Sequence, residues 1–227
     1  MSLVFRVLGW PPDGPKLRLD YRRFRYAGKF VMSNTGKAVA YDADATSAEA
    51  VAAADTAESD VGVDADAADG EASADDVDGA NADDGSGASA DAFDPVLAAV
   101  AFNEDRTDPG AWWLRYITVR DDLRGDGLGA RLAAFAAARL ESRGASRVRI
   151  AVNNPFAYQA LYKAGFGFTG EETGLAELVL ERPWPRDAET YRAGLDRYRA
   201  RDLSDAEASF LDSKAGASPP ARLDAGP

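Results

Sequence analysis

Hydrophobic periodicity is clearest in the middle of the chain, where it predicts a strand, a helix and a second strand. The stretch "AWWLRYITV" (residues 111–119) is rich in aromatic and β-branched residues, which favours a strand. The run "GLGARLAAFAAARLESRG" (127–144) has apolar residues at helical spacing and ends at Gly144. Apolar and polar residues alternate in "SRVRIAV" (146–152), which predicts a strand. A unit of this length implies parallel strands joined by a right-handed crossover.

A second helix, a last strand and a helical C-terminal part follow. The stretch "PFAYQALYKAG" begins with Pro155 at a helix N1 position and ends at Gly165. "LAELVLERP" (175–183) predicts a strand, and "SDAE" from Ser204 is a helical capping box. An aromatic stripe on the C-terminal helical part is expected to be packing rather than a ligand site: Tyr191, Leu195 and Tyr198.

The first hundred residues carry three further strand patterns and one ambiguous stretch. Strands are predicted in "LVFRVLGW" (3–10), "TGKAVAYD" (35–42) and "DPVLAAVAFNED" (94–105). The stretch "LRLDYRRFRYAGKF" (17–30) fits a helix and a strand equally well. A hairpin turn around residues 34–36, Asn-Thr-Gly, is a further expectation.

One long segment interrupts this pattern. Residues 42–92 contain no aromatic side chain and consist mainly of Ala, Asp, Gly and Ser, so they cannot bury enough apolar surface to offset the entropy of ordering. We predict a disordered acidic insertion between two paired strands of a single domain, residues 1–41 and 93–186. A C-terminal helical extension (187–213) and a disordered tail (214–227) complete the predicted organisation.

Charge is distributed as unevenly as hydrophobicity. The chain has a formal net charge of −12, and residues 42–92 hold sixteen acidic residues and no Lys or Arg. The rest has 22 acidic and 26 basic residues, so the folded part is mildly basic. This aspartate-rich, lysine-poor composition suggests an organism that lives in high salt.

The missing residue types and the hydropathy exclude several classes of function. The chain has no His and no Cys, which excludes disulfides, the usual Cys/His zinc sites and imidazole catalysis, and we expect no metal site. No run approaches the ~20 apolar residues that span a membrane, and we predict no signal peptide in the first residues. We therefore expect a cytoplasmic protein without a membrane partner.

The stretch "LRGDGLGARL" (123–132) concentrates glycine ahead of the predicted helix and allows three interpretations. A close helix–strand contact alone needs small residues. The dinucleotide fingerprint G-x-G-x-x-[GA] is satisfied, but the expected tight turn after the strand and the acidic ribose-binding residue are missing. The third interpretation is the pattern R-x-x-G-x-G, formed by Arg124, Gly127 and Gly129.

The third pattern, taken with its surroundings, resembles the acyl-CoA-binding loop of the GNAT superfamily of acetyl-CoA-dependent N-acetyltransferases. The triplet "ITV" at the end of a strand precedes the loop. The later stretch "VNNPFAYQALYKAGF" carries the family's residues at the family's spacing: Asn154, Ala157, Lys163, Gly165 and Phe166. The resemblance covers about residues 96–182.

This resemblance implies a fold and a cofactor site. The fold would be α/β (α+β), with a mixed, mostly antiparallel sheet whose central parallel strands splay apart between flanking helices. Acetyl-CoA would be the acyl donor, its pyrophosphate on the helix N-terminus and its pantetheine on the strand before it. The implied cofactor-binding residues are Ile117, Thr118, Val119, Arg124, Gly125, Asp126, Gly127, Leu128, Gly129, Ala130 and Asn154.

The catalytic residues match the family less closely. The position that usually carries the thiolate-protonating tyrosine is Leu161, and Tyr162 follows it, rotated by about 100° on a helix. Tyr162 is the predicted general acid, with Tyr158 or unassisted thiolate release as alternatives. For the general base, Glu104 is predicted, with Asp105 beside it.

The predicted function is transfer of an acetyl group from acetyl-CoA to a primary amine of a small molecule or a protein, by direct attack. The alternative is a non-catalytic acyl-CoA-binding or protein-interaction module. The basic stretch 17–30 lies where the family builds its acceptor wall, and the acceptor itself stays unknown. No nucleic-acid partner is expected, because the basic stretch is short and lacks a matching motif. A homodimer is left open.

Overall fold

The computed structural model describes residues 2–45 and 96–223. These residues form seven strands and four α-helices, in the following chain order: β1 (Leu3–Gly9), β2 (Gly36–Asp42), β3 (Val96–Glu104), β4 (Ala111–Val119), α1 (Leu128–Ser142), β5 (Arg147–Val152), α2 (Pro155–Lys163), β6 (Gly167–Glu172), β7 (Leu178–Arg182), α3 (Ala188–Arg199) and α4 (Asp205–Ser213). No helix in the described ranges is long and apolar enough to cross a membrane.

The strands form one sheet in the order β1-β2-β3-β4-β5-β7-β6. All neighbours pair antiparallel except β4 and β5, which are parallel because α1 carries the chain back between them. The structure therefore confirms the predicted fold class, a mixed and mostly antiparallel sheet with a central parallel pair and flanking helices.

The strands predicted on either side of the acidic segment pair with each other. β2 and β3 run antiparallel from Gly36 opposite Phe102 to Tyr41 opposite Val96. The disorder predicted for 42–92 falls mostly on residues 46–95, which lie outside the described part of the chain, so it stays a prediction together with the domain boundaries.

Helix α1 covers one face of the sheet with small and branched side chains. Leu132, Ala136 and Leu140 are buried on its inner face, as the periodicity predicts. Phe135 lies at the edge of this contact and stacks on Phe5 of β1 at 5.6 Å between ring centroids. The alanines let the helix approach the sheet closely, which brings its N-terminus beside the end of β4.

The ambiguous stretch 17–30 is neither helix nor strand. It forms turns and one 3-10 turn at Ala27–Phe30, and it buries Leu17, Phe24 and Phe30 on the sheet face opposite α1. The hairpin expected around residues 34–36 is not formed. β2 begins at Gly36, and its two neighbours are β1 and β3 rather than the residues just before it.

A cluster of four buried tyrosines joins α2 to α3: Tyr158, Tyr162, Tyr191 and Tyr198. The Tyr158 and Tyr191 rings stack at 5.8 Å, and the Tyr158 hydroxyl donates to the Tyr191 carbonyl at 3.1 Å. A Cβ at Gly194 would lie 2.0 Å from the Tyr158 hydroxyl oxygen, so only glycine permits this contact. The aromatic stripe of α3 is therefore packing, as predicted.

The last described residues lie against the domain after α4. The Leu223 amide donates to the Lys163 carbonyl at 2.7 Å, and Arg186 donates to the Pro220 carbonyl at 2.9 Å. The chain thus returns to the C-terminal end of α2.

The tyrosine cluster predicts loss of stability in alkaline solution. Burial raises the pKa of all four phenols, whereas a tyrosine in an unfolded chain titrates at about pH 10. The folded protein keeps protons that the unfolded chain loses, so this stability is fully present below about pH 10 and is lost as the pH rises through the folded pKa values.

Urea titrations measure this effect. We expect the free energy of unfolding to fall above about pH 10, by up to about 1.4 kcal/mol per pH unit for each phenol that stays protonated. Tyr198→Phe should reduce the slope of the free energy of unfolding against pH by the contribution of one phenol, up to about 1.4 kcal/mol per pH unit. Equal slopes for the variant and the parent would contradict the assignment.

Candidate functional site

The parallel strands β4 and β5 pair only at one end. Their ladder runs from Ala111 opposite Arg147 to Trp113 opposite Arg149, and no further pair follows. Just beyond, the β3–β4 register shifts so that Arg115 is an extra residue in β4. A bulge of this kind bends its strand and increases the twist. The second half of β4 is consequently unpaired on the side that faces β5, which gives the predicted splay.

The glycine loop lies at the open end of β4. A 3-10 turn at Asp121–Leu123 leads to Gly125 and Gly127, whose φ angles of +100° and +78° suit glycine. Gly127 is the N-cap of α1 and supplies no side-chain hydrogen bond to the helix. A Cβ on either glycine would meet no protein atom within 4 Å.

The first turn of α1 has the chemistry of an anion site. The first amide groups of any helix have no partner within the helix, and the helix dipole places about half a positive charge there. Because no side chain caps Gly127 and open space lies above it, a phosphate group could approach these amides directly.

Gly129 has a different task from the other two glycines. It lies inside α1, and a Cβ there would be 3.2 Å from the Val119 Cγ2 atom and 4.0 Å from the Ile117 Cγ2 atom. Both side chains pack against α1. The close-packing interpretation of the glycine run is therefore correct for Gly129, whereas Gly125 and Gly127 serve the turn.

The side chains of two other predicted cofactor residues have protein partners. Arg124 pairs with Asp121 at 2.5 Å and donates to the Val119 carbonyl at 3.4 Å, so its guanidinium lies at the base of the loop. The Thr118 hydroxyl donates to the Arg25 carbonyl at 2.8 Å and fixes the stretch 17–30 to β4. Only the backbone of Thr118 is then available to a ligand.

Three further members of the predicted site belong to the turn and the first helical turn. Asp126 is exposed, whereas the side chains of Leu128 and Ala130 are buried. The backbone of this segment, rather than its side chains, faces the open space. An exposed carboxylate at Asp126 is free to point into solvent, away from a bound anion.

Asn154 begins α2 on the other side of the opening. Its Oδ1 atom accepts a hydrogen bond from the Ala157 amide at 2.9 Å, which makes it the N-cap of the helix. Its Nδ2 atom donates to the Asn153 Oδ1 atom at 3.2 Å. The structure thus brings Asn154 to the open end of β5, with a capping task of its own.

The structure does not bring Tyr162 to the opening. Its hydroxyl accepts a hydrogen bond from the Phe168 amide of β6 at 3.0 Å. β6 is two strands away from β5 in the sheet, about 10 Å at the usual strand spacing, on the side away from β4. Burial raises the pKa of the Tyr162 phenol. The Tyr158 hydroxyl is equally enclosed, since it is directed at α3.

Two carboxylates lie near the paired end of β4 and β5. Glu104 ends β3 opposite Trp112, is exposed, and accepts a hydrogen bond from the Gly110 amide at 3.3 Å. Asp105 accepts from the Thr107 amide and from the Trp113 indole, both at 2.8 Å. These hydrogen bonds hold the Asp105 pKa far below its ordinary value, so Asp105 is a weak proton acceptor.

Residues that border the opening on the face away from α1 were not found from the sequence. Arg115, at the bulge, lies over the Trp113 ring at 5.2 Å and donates to the Asn103 Oδ1 atom at 2.6 Å. Arg149 of β5 lies 6.0 Å from the same ring and pairs with Glu181 at 2.6 Å. A bulge leaves no signal in a single sequence, so this cluster could only be seen in the folded chain.

Comparison with protein families gives a match to the central part of the chain. The Acetyltransferase (GNAT) family model matches residues 59–168, which is 110 of the 227 residues. No curated protein sequence matches the chain. The matched range includes every element from β3 to α2.

Several solved acetyltransferases show a distant likeness. The PaiA N-acetyltransferase from Thermoplasma acidophilum in complex with coenzyme A is 16% identical, with 39% of this chain and 54% of that chain covered and a TM-score of 0.34. An aminoglycoside 6'-acetyltransferase type Ii is 16% identical, with 41% of this chain and 66% of that chain covered and a TM-score of 0.35. Nourseothricin acetyltransferase is 15% identical, with 82% of this chain and 100% of that chain covered and a TM-score of 0.42. The chain thus spans only about half the length of the first of these proteins.

The capping task of Asn154 is testable by stability. We expect Asn154→Ala to lower the free energy of unfolding by about 1 kcal/mol, because the Ala157 amide loses its partner. Asn154→Asp should stay close to the parent, since Asp caps equally well and its charge complements the helix dipole. Urea titration of the three proteins measures the difference, and an Ala variant as stable as the parent would contradict the cap.

Proposed function

We propose that this protein is a GNAT-type N-acetyltransferase that transfers an acetyl group from acetyl-CoA to a primary amine. The observation that carries the proposal is the uncapped N-terminus of α1, with open space above Gly125 and Gly127, beside the point where β4 separates from β5. An anion site joined to an unpaired strand edge suits a ligand with a pyrophosphate at one end and amides along its arm.

Each part of acetyl-CoA has a matching group in this arrangement. The pyrophosphate would bind the backbone of Gly125–Ala130, with Arg124 beside it. The unpaired backbone groups of Ile117–Val119 would pair with the pantetheine amides, as an added strand does. Asn154 would close the opening from β5, through the Nδ2 atom that its capping bond leaves available.

The proposed reaction is direct attack in a ternary complex. The amine nitrogen forms a bond to the thioester carbonyl carbon while the carbon–sulfur bond breaks. One proton leaves the nitrogen, and the thiolate of CoA finally takes one. We propose Glu104, acting through water, as the base, because it is exposed near the paired end of β4 and β5, whereas Asp105 is held ionised by its hydrogen bonds.

For thiolate release we favour departure without a tyrosine. The Tyr162 hydroxyl serves the Phe168 amide, and the Tyr158 hydroxyl serves α3. The role of Tyr162 as general acid, expected from the sequence, stays a prediction.

The competing proposal is a non-catalytic acyl-CoA-binding module, favoured by the same enclosed tyrosines. Release of free thiol from acetyl-CoA, measured against a broad panel of primary amines, separates the two. Turnover with any amine supports the enzyme. Calorimetric CoA binding without turnover across the panel supports the module.

The glycine loop gives the sharpest binding prediction. Gly127→Leu should weaken acetyl-CoA binding at least about a hundredfold, because its side chain fills the space where the phosphates would contact the amides. Gly144→Leu is the matched control. Gly144 has a similar φ of +95°, is surrounded by equally open space, and lies just beyond the other end of α1. Calorimetry showing equal affinity in the two folded variants would contradict the proposed site.

Tyr162→Phe tests the tyrosine. We expect kcat to change by less than about tenfold, while the free energy of unfolding falls by about 1–3 kcal/mol because the buried Phe168 amide loses its partner. A loss of about 10²–10⁴-fold in kcat, with acetyl-CoA affinity retained, would instead establish Tyr162 as the general acid.

A further inference from the structure

A pocket of about 430 Å³ lies at the end of the molecule away from the glycine loop. The C-terminal ends of α1 and α2 meet there, beside the chain that leaves β7. Its wall includes Glu141, Arg182, Trp184, Arg186 and Arg222. Three guanidinium groups therefore line one cavity with a single carboxylate.

One of these arginines is fully accounted for by the fold. Arg182 pairs with Glu141 through two contacts, Nε to Oε1 at 2.8 Å and Nη2 to Oε2 at 2.9 Å. Its Nη1 atom donates to the Ala164 carbonyl at 3.1 Å, beyond the end of α2. Arg182 thus uses the one carboxylate of the pocket and satisfies a carbonyl that a helix end leaves unpaired.

Arg186 is only partly satisfied. Its Nη2 atom donates to the carbonyls of Tyr162 at 2.7 Å and Pro220 at 2.9 Å. Its Nε atom is buried and has no hydrogen-bond partner among the described residues. A buried donor without a partner is costly, which marks a position that a bound acceptor would satisfy.

Arg222 is the third arginine at the pocket. Its Nε atom lies 2.7 Å from the position that a Cβ of Gly165 would take, so the glycine makes room for the guanidinium. Within residues 2–45 and 96–223, neither Arg186 nor Arg222 forms an ion pair. Burial lowers the pKa of Arg186, and the charge of Arg222 lowers it further.

The ends of two helices offset part of this charge, since each carries about half a negative charge. The bidentate pair with Glu141 offsets the charge of Arg182. Arg186 and Arg222 are left as two cations that line one cavity, and the buried Nε atom of Arg186 has no hydrogen-bond partner in the described part of the chain. Guanidinium groups in such an arrangement are typical partners of phosphate oxygens.

We propose that this pocket binds a phosphate group through Arg186 and Arg222. The group can belong to free inorganic phosphate or pyrophosphate, or to a phosphorylated compound whose ring contacts Trp184, a side chain 39% exposed at the pocket. The site is separate from the proposed acetyl-CoA site, because α1 has 15 residues and places its two ends about 22 Å apart. It does not depend on the proposed function.

Calorimetric titration of the full chain with pyrophosphate and with ADP tests the site. We expect Arg222→Gln and Arg186→Gln each to weaken binding of both probes about tenfold or more. Arg197→Gln removes an exposed cation from the outer surface of α3 and should leave this binding unchanged. All titrations with pyrophosphate and ADP use the Gly127→Leu background, so that the glycine loop does not contribute phosphate binding. Arg222 lies in an exposed tail, which keeps the test valid if Arg186→Gln unfolds the chain.

Each outcome of these titrations either supports or overturns the proposed phosphate site. ADP that binds more tightly than pyrophosphate, with the gain lost in Trp184→Leu, supports the site and identifies a phosphorylated ring compound as the ligand. Equal affinities that fall in Arg222→Gln support the site and identify a free phosphate. Binding that Arg222→Gln leaves unchanged, or no binding of either probe, would overturn the proposal. Acetyl-CoA affinity in Arg222→Gln should equal that of the parent, so the two proposals stand or fall separately.

Discussion

A backbone group that leaves a β-ladder has to be paired again, by water, by a side chain or by a ligand. In this fold the constraint applies where β4 separates from β5 after Trp113, because the ladder stops there while both strands continue. The bulge at Arg115 supplies the bend, since one additional residue in β4 increases its twist relative to β3. The candidate site lies at this interruption.

The neighbouring elements make the interruption usable. Gly129 lets α1 lie against Val119, and this contact places the helix N-terminus at the open end of β4. Gly125 and Gly127 then turn the chain without covering the first amides of the helix. On the far side of the sheet, the bond from Thr118 to the Arg25 carbonyl fixes a cover over β4. One opening is thus bordered by an uncapped helix N-terminus, two unpaired strand edges and a covered face.

Local patterns in the sequence predict those parts of the fold that depend on local physics. The bounds of β4, the helix that ends near Gly144 and the start of α2 at Pro155 all follow from periodicity and from the positions of glycine and proline. β6 (Gly167–Glu172) was missed, because "GFTGEE" holds two glycines and two adjacent acids and has no alternation. Its place depends on pairing with β7, which no local pattern encodes.

The candidate site divides in the same way. The glycine loop is encoded by residue types at fixed spacing, so it was predicted with its residues. The surroundings of Tyr162 depend on α3 and β6, elements distant in sequence that enclose the phenol, and the spacing from Asn154 gave no information about them. The stretch 17–30 resisted assignment because it buries Leu17, Phe24 and Phe30 without a regular period.

Amide hydrogen exchange with and without CoA tests the central claim most directly, because it reports which backbone groups a ligand pairs. If CoA fills the opening between β4 and β5, peptides that cover Tyr116–Val119 and Gly125–Ala130 should exchange more slowly in its presence. Peptides from β1, an edge strand three strands away from β4, should be unchanged. Protection confined to other segments, or none at saturating CoA, would contradict the account.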